Sequence, residues 1–69
     1  MRTYPFGKWQ SHPDGTRTLS IDIGDGETIS FLRRERDGEV VFTDEAKTYF
    51  NGDMEEMERV KKLAPACPE

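Results

Sequence analysis

Apolar and polar residues alternate along the first forty-odd positions of the chain. Leu19, Ile21 and Ile23 alternate with Ser20 and Asp22, Ile29 and Phe31 flank Ser30, and Val40 and Phe42 flank Val41. A period of two places one set on a buried face of a pleated sheet and the other on the opposite face. The pattern predicts strands over residues 16–23, 27–36 and 39–42. Residues 3–10 read as a fourth, with Tyr4, Phe6 and Trp9 turned inward. Pro5 and Gly7 interrupt that segment and assign it to an edge or a bulge. Whether it pairs with the sheet or folds over it stays open. His12-Pro13-Asp14-Gly15, Gly24-Asp25-Gly26 and Arg36-Asp37-Gly38-Glu39 carry the residues that tight turns need. Connections this short imply an antiparallel meander.

Past Phe42 the spacing becomes helical. Thr43 is placed to cap a helix whose first turn holds Asp44 and Glu45, where the helix dipole favours acids. Ala46, Tyr49 and Phe50 fall on one face, and Asn51-Gly52 ends the segment. Asp53 followed by Glu56 reads as a capping box opening a second helix. Met54, Met57, Val60 and Ala64 share its apolar stripe, with Leu63 beside them, and Pro65 stops it. One continuous helix bent at Gly52 is the alternative. The expected fold class is α+β: a small antiparallel β-meander of three to four strands, one face covered by a C-terminal helix or two short helices. Residues 1–64 form a single domain and residues 65–69 a flexible tail. The expected core is Ile21, Ile23, Ile29, Phe31, Val40, Phe42, Phe50, Met57 and Val60.

Length limits what such a fold can hold. Sixty-nine residues, 33% hydrophobic and 35% charged, give a thin core and little room for a deep, dry cleft. No apolar run approaches the roughly 20 residues of a membrane span. Residues 1–10 lack the apolar stretch of a secretory leader, so the expected location is cytoplasmic and no membrane partner is expected. The single cysteine, Cys67, excludes a disulfide within the chain and a multi-cysteine zinc site.

Charge is unevenly distributed. Residues 37–58 hold eight acids against one base, Lys47, a local net of −7 within a chain of net −4. That block repels nucleic acid and favours a basic partner surface. Arg33, Arg34 and Arg36 make a basic cluster, with Arg34 and Arg36 on one strand face and Arg33 on the other. Glu35, Asp37 and Glu39 stand among them, so cross-strand ion pairing is their first reading.

Catalytic signatures are missing. The string Ser20-Ile21-Asp22-Ile23-Gly24-Asp25-Gly26-Glu27-Thr28 resembles the first phosphate hairpin of the actin-like and sugar-kinase ATPases, where a Gly-rich turn meets phosphate. It departs from them in lacking the Gly-Thr pair. It also sets Asp25 where phosphate would lie, and the chain is too short for two nucleotide-enclosing lobes. The string also lacks the ligand spacing of a calcium loop. His12, the only histidine, stands beside Ser11 without an orienting third group.

These exclusions lead to a non-enzymatic, acidic regulator or inhibitor that needs no cofactor or metal and binds a larger protein with a basic surface. In size and charge it resembles the small proteins by which bacteriophages block host RNA polymerase or defence nucleases. The partner-binding residues would be Asp44, Glu45, Glu55, Glu56 and Glu58, with Arg34 and Arg36 as a second patch. The alternatives are a nucleic-acid-binding regulator using Arg17, Arg33, Arg34 and Arg36, and a structural subunit. The chain is expected to be a monomer or a weak homodimer.

Overall fold

The structure is a computed structural model and describes residues 4–67. Four strands, β1 (Gln10–Ser11), β2 (Arg17–Gly24), β3 (Glu27–Arg34) and β4 (Val40–Phe42), are followed by helices α1 (Asp44–Tyr49) and α2 (Met54–Lys61). The strands form one antiparallel sheet in chain order. The α+β meander is the expected one, and its helical part is two helices. Asn51 and Gly52, at φ 54° and 75°, take the left-handed conformation that ends α1.

The turns follow their residues. Asp25 and Gly26 have φ of 56° and 75° and join Gly24 to its partner Glu27, the positive-φ connection that suits a twisted hairpin. The two other loops share one design. In His12-Pro13-Asp14-Gly15-Thr16 the first N–H donates to the fifth carbonyl (2.9 Å), and the glycine N–H returns to the first carbonyl (3.1 Å). The Asp14 carboxylate accepts from Thr16 N–H (3.0 Å). Glu35-Arg36-Asp37-Gly38-Glu39 repeats these bonds at 2.7, 2.9 and 2.9 Å. The two loops lie side by side, with the Arg36 stem packed over Gly15.

The N-terminal segment is only in part the strand that alternation predicts. Phe6 bridges Ile21, Gly7 N–H donates to the Ser20 carbonyl, and Asp22 N–H donates to the Pro5 carbonyl, both at 2.8 Å. Continuous pairing resumes only at Gln10, one register step displaced. Thr3, the first residue of the expected strand, lies outside the described residues, as do positions 68–69 of the expected tail.

Leu19, Ile21, Phe31, Ala46, Met57 and Val60 are buried, with Tyr4, Leu32 and Phe50 beside them. Phe31 is the hub: its ring lies 5.6 Å from Phe42, 5.8 Å from Phe50 and 6.4 Å from Phe6. Ile23, Ile29, Val40 and Phe42, expected within the core, are half-buried at its margin. A bulge adds Leu32, which alternation turns outward, to the core. Leu19 pairs with Leu32 while Ser20 pairs with Ser30, so Phe31 and Leu32 oppose one position and both turn inward. Met54, expected on the buried stripe, is 51% exposed, and Leu63 is 61% exposed. Steps of three residues fall about 60° short of a full turn each. A helix docked through Met57 and Val60 therefore carries Met54 off its contact face.

Candidate functional site

Thr43 starts the acidic segment. Its backbone N–H donates to the Phe31 carbonyl (3.1 Å). Its hydroxyl donates to the Ser30 carbonyl and accepts from Ala46 N–H (3.1 Å). One buried side chain thus caps α1 and fastens it to the outer edge of β3, satisfying a helix donor and a strand acceptor together. Asp44 and Glu45 follow, both exposed. Glu45 Oε1 accepts from Ser30 N–H (3.3 Å), standing where a neighbouring strand would put a carbonyl.

Asp44 and Glu45 form the rim of a shallow, open groove lined also by Ile29, Thr48 and Tyr49. Its floor is apolar, since Tyr49 is held edge-on against Phe50 (5.1 Å) and Tyr4 (6.2 Å). Ile29 and Tyr49 have no place in the acid-run reading of the sequence. Their signals were the alternation of Ile29 with Phe31 and the helical spacing of Tyr49 from Ala46, but only the helix–sheet junction brings the two together with Tyr49 half-buried.

The acids of α2 are a separate group. Asp53 caps α2 by accepting from Glu56 N–H (3.2 Å). Glu56 does not complete the expected capping box; its carboxylate takes Arg59. That bond, with the Arg59 charge behind it, holds the Glu56 carboxyl below the usual glutamate range against the opposing effect of burial. Glu55 and Glu56 line a second open groove with Asp53 and Arg59, whereas Glu58 lies outside both grooves. Glu55 and Glu58 are exposed and both follow the exposed Met54 within the next turn of α2.

The arginines fall elsewhere. β3 ends at Arg34, two residues short of the expected boundary, so Arg36 belongs to the loop and not to a strand face. Arg33 pairs with Glu35 through Nε (3.0 Å) and Nη2 (2.7 Å). The bulge puts Arg34 on the same face as Leu32, directly opposite Arg17. Neither Arg17 nor Arg34 has an ion pair among the described residues. At the loop end, Asp14 accepts from the Thr16 hydroxyl (2.7 Å). That bond, then Thr16 N–H, then the charges of His12 and Arg36, hold its carboxyl below the usual aspartate range. His12 Nε2 is itself hydrogen-bonded to the Thr18 hydroxyl (2.8 Å).

Asp44 and Glu45 therefore meet at one groove and Glu55 and Glu56 at another, while Arg34 and Arg36 join neither. Among the described residues, no group of three or more His, Cys, Asp or Glu is arranged to hold a metal ion. Nor, among the described residues, is any helix long and apolar enough to cross a membrane. Comparison of the chain with protein-family models, curated proteins and solved structures finds no match.

Proposed function

We propose that this chain is a non-enzymatic regulator or inhibitor that binds a larger protein through its acidic helical side. One observation carries the reading. Asp44, Glu45, Glu55 and Glu58 are exposed and take part in no ion pair among the described residues. The cations Arg33 and Arg59 are taken by Glu35 and Glu56 instead. A block of unpaired negative charge steers a basic surface toward it and accelerates encounter more than it deepens affinity. Half-exposed Met54 adds a deformable apolar contact of a kind used at adaptable binding surfaces. In size and charge the chain is like the small proteins by which bacteriophages block host RNA polymerase or defence nucleases.

The test is affinity capture from a host lysate with the wild-type chain and with D44N/E55Q/E58Q, which removes charge without touching the Glu56–Arg59 pair. The expected result is a partner held by the wild type at low salt and strongly depleted with the variant. Equal recovery would reduce the acids to a solvated surface. A second reading rests on Arg17 and Arg34, like charges at directly opposed positions without acidic partners. That juxtaposition favours nucleic acid through phosphate contacts, and a gel-shift titration at rising salt separates the two readings.

A further inference from the structure

The outer edge of the sheet is unfinished. β4 spans three residues and pairs with Leu32, Arg33 and Arg34 of the eight-residue β3. Among the described residues, no strand lies beside the first half of β3 on that side. Asp22 N–H goes to Pro5, so Asp22 and its partner Thr28 are not hydrogen-bonded to each other. The N–H and C=O of Thr28 therefore point outward. No bond to either occurs among the described residues. The next outward residue, Ser30, is satisfied by side chains alone, Glu45 on its N–H and Thr43 on its carbonyl. Beside this edge runs the groove of Ile29 and Tyr49 with Asp44 and Glu45 on its rim.

We propose that the free edge of β3 at Thr28 accepts an extended segment of a partner protein as an added strand, its apolar side chain over Ile29 and Tyr49 and flanking lysines or arginines against Asp44 and Glu45. The proposal rests on the protein-binding reading above and names the partner's chemistry. Backbone bonds to Thr28 supply pairing, and the side-chain pocket supplies selection, as in strand addition generally. A carbonyl of the incoming strand takes over the Ser30 N–H, and the Glu45 carboxylate it displaces turns to a cation of the same strand. Charge decides against a second copy as occupant. Two-fold pairing across this edge would bring Glu27, Asp44 and Glu45 of one copy against the same acids of the other, and like charges across an interface are unfavourable.

The experiment is a titration of the isotope-labelled full chain, followed by backbone amide shifts. The probe is a short blocked peptide of alternating lysine and valine, and its glutamate–valine counterpart is the control. Shifts at residues 27–30 and along Asp44–Tyr49 with the lysine peptide alone are expected. Thr28→Pro removes the outward N–H without touching a β2–β3 bond, and should abolish these shifts. D44N/E45Q leaves the strand intact and should weaken binding about tenfold at low salt; it decides the matter if Thr28→Pro does not fold. Shifts confined to Met54–Lys61 would overturn the strand addition while leaving the acidic-side reading standing. An absence of shifts, or equal shifts with the glutamate peptide, overturns it as well. Concentration-dependent shifts at residues 27–30 without peptide would assign the edge to a second copy.

Discussion

On its β2 side the sheet is closed by main chain. Pro5 and Gly7 exchange backbone bonds with Asp22 and Ser20, and β1 continues the pairing after a slip in register. On its β3 side the main chain of β4 and Thr43 covers only Phe31 to Arg34, and Ser30 beyond it is met by two side chains, the Thr43 hydroxyl and the Glu45 carboxylate. Backbone pairing tolerates many residue types, because every residue except proline brings the same donor and acceptor. Side-chain closure depends on particular residues and can be undone by one substitution. The contrast separates an edge built to stay from an edge that can be exchanged.

Phe31 touches both sides, through Phe6 toward the main-chain edge and through Phe42 and Phe50 toward the helical one. Phe31→Ala should cost about 3–5 kcal/mol, the largest single effect and a large share of the stability of so small a domain. A melting temperature unchanged in this variant would sink the assignment of Phe31 as hub. Next in size is Thr43→Val, which keeps the shape but loses the helix cap and the bond to Ser30. About 1–3 kcal/mol is expected from denaturant titration. Ser11→Ala on the exposed β1 strand should stay within about 0.5 kcal/mol. Similar costs at the two positions would erase the contrast between the edges.

Glu45→Ala sharpens the comparison without the cap. The Ser30 amide should exchange with solvent faster than in the wild type, while the Gly7 amide, held by the main chain, keeps its rate. Unchanged exchange at Ser30 would mean that Glu45 does not protect the edge. Smallest is the response to acid. The folded-state pKa values of Asp14 and Glu56 lie below the ordinary carboxylate range. Their contribution to stability is therefore complete above that range and is lost as pH falls through the depressed values. Both groups are solvent-facing, so the slope is shallow. A plot of melting temperature against pH should flatten slightly in Asp14→Asn, and an acid limb steeper than that of the wild type would reverse the sign assigned here.

Strands, turns and caps were legible because each depends on neighbours in sequence. Thr43 and Asp53 cap their helices as their residue types imply, and the Asp-Gly pairs sit in positive-φ turns. What escaped depends on residues brought together by folding. The bulge at Phe31 has no residue of its own to announce it, yet it buries Leu32 and turns Arg34 to the side of Arg17. Alternation carried past Phe31 would have made Arg33 the inward residue. For the same reason the acids looked like one surface. Glu45 and Glu56 both read as partner-binding acids, Glu56 also as half of a capping box, whereas one meets a strand amide and the other an arginine. Asp44, Glu55 and Glu58 stay exposed and unpaired among the described residues, as the charge run suggested.

The indole N–H of Trp9 donates to the Pro65 carbonyl (3.1 Å), a bond that spans 56 positions of the chain. Most other pairings link consecutive elements, with the Asp25-Gly26 turn closing the longest hairpin over two residues. Closing a short loop costs less conformational entropy than closing a long one, and topologies built of local contacts fold fast. The β2–β3 hairpin is thus the natural place for the folding transition state to gain order, and the Trp9–Pro65 clasp joins after it. A change in the turn should then slow refolding, whereas Trp9→Phe should leave the refolding rate nearly alone and quicken unfolding. The clasp thus adds a modest brake on opening, with little bearing on how quickly the native state is reached.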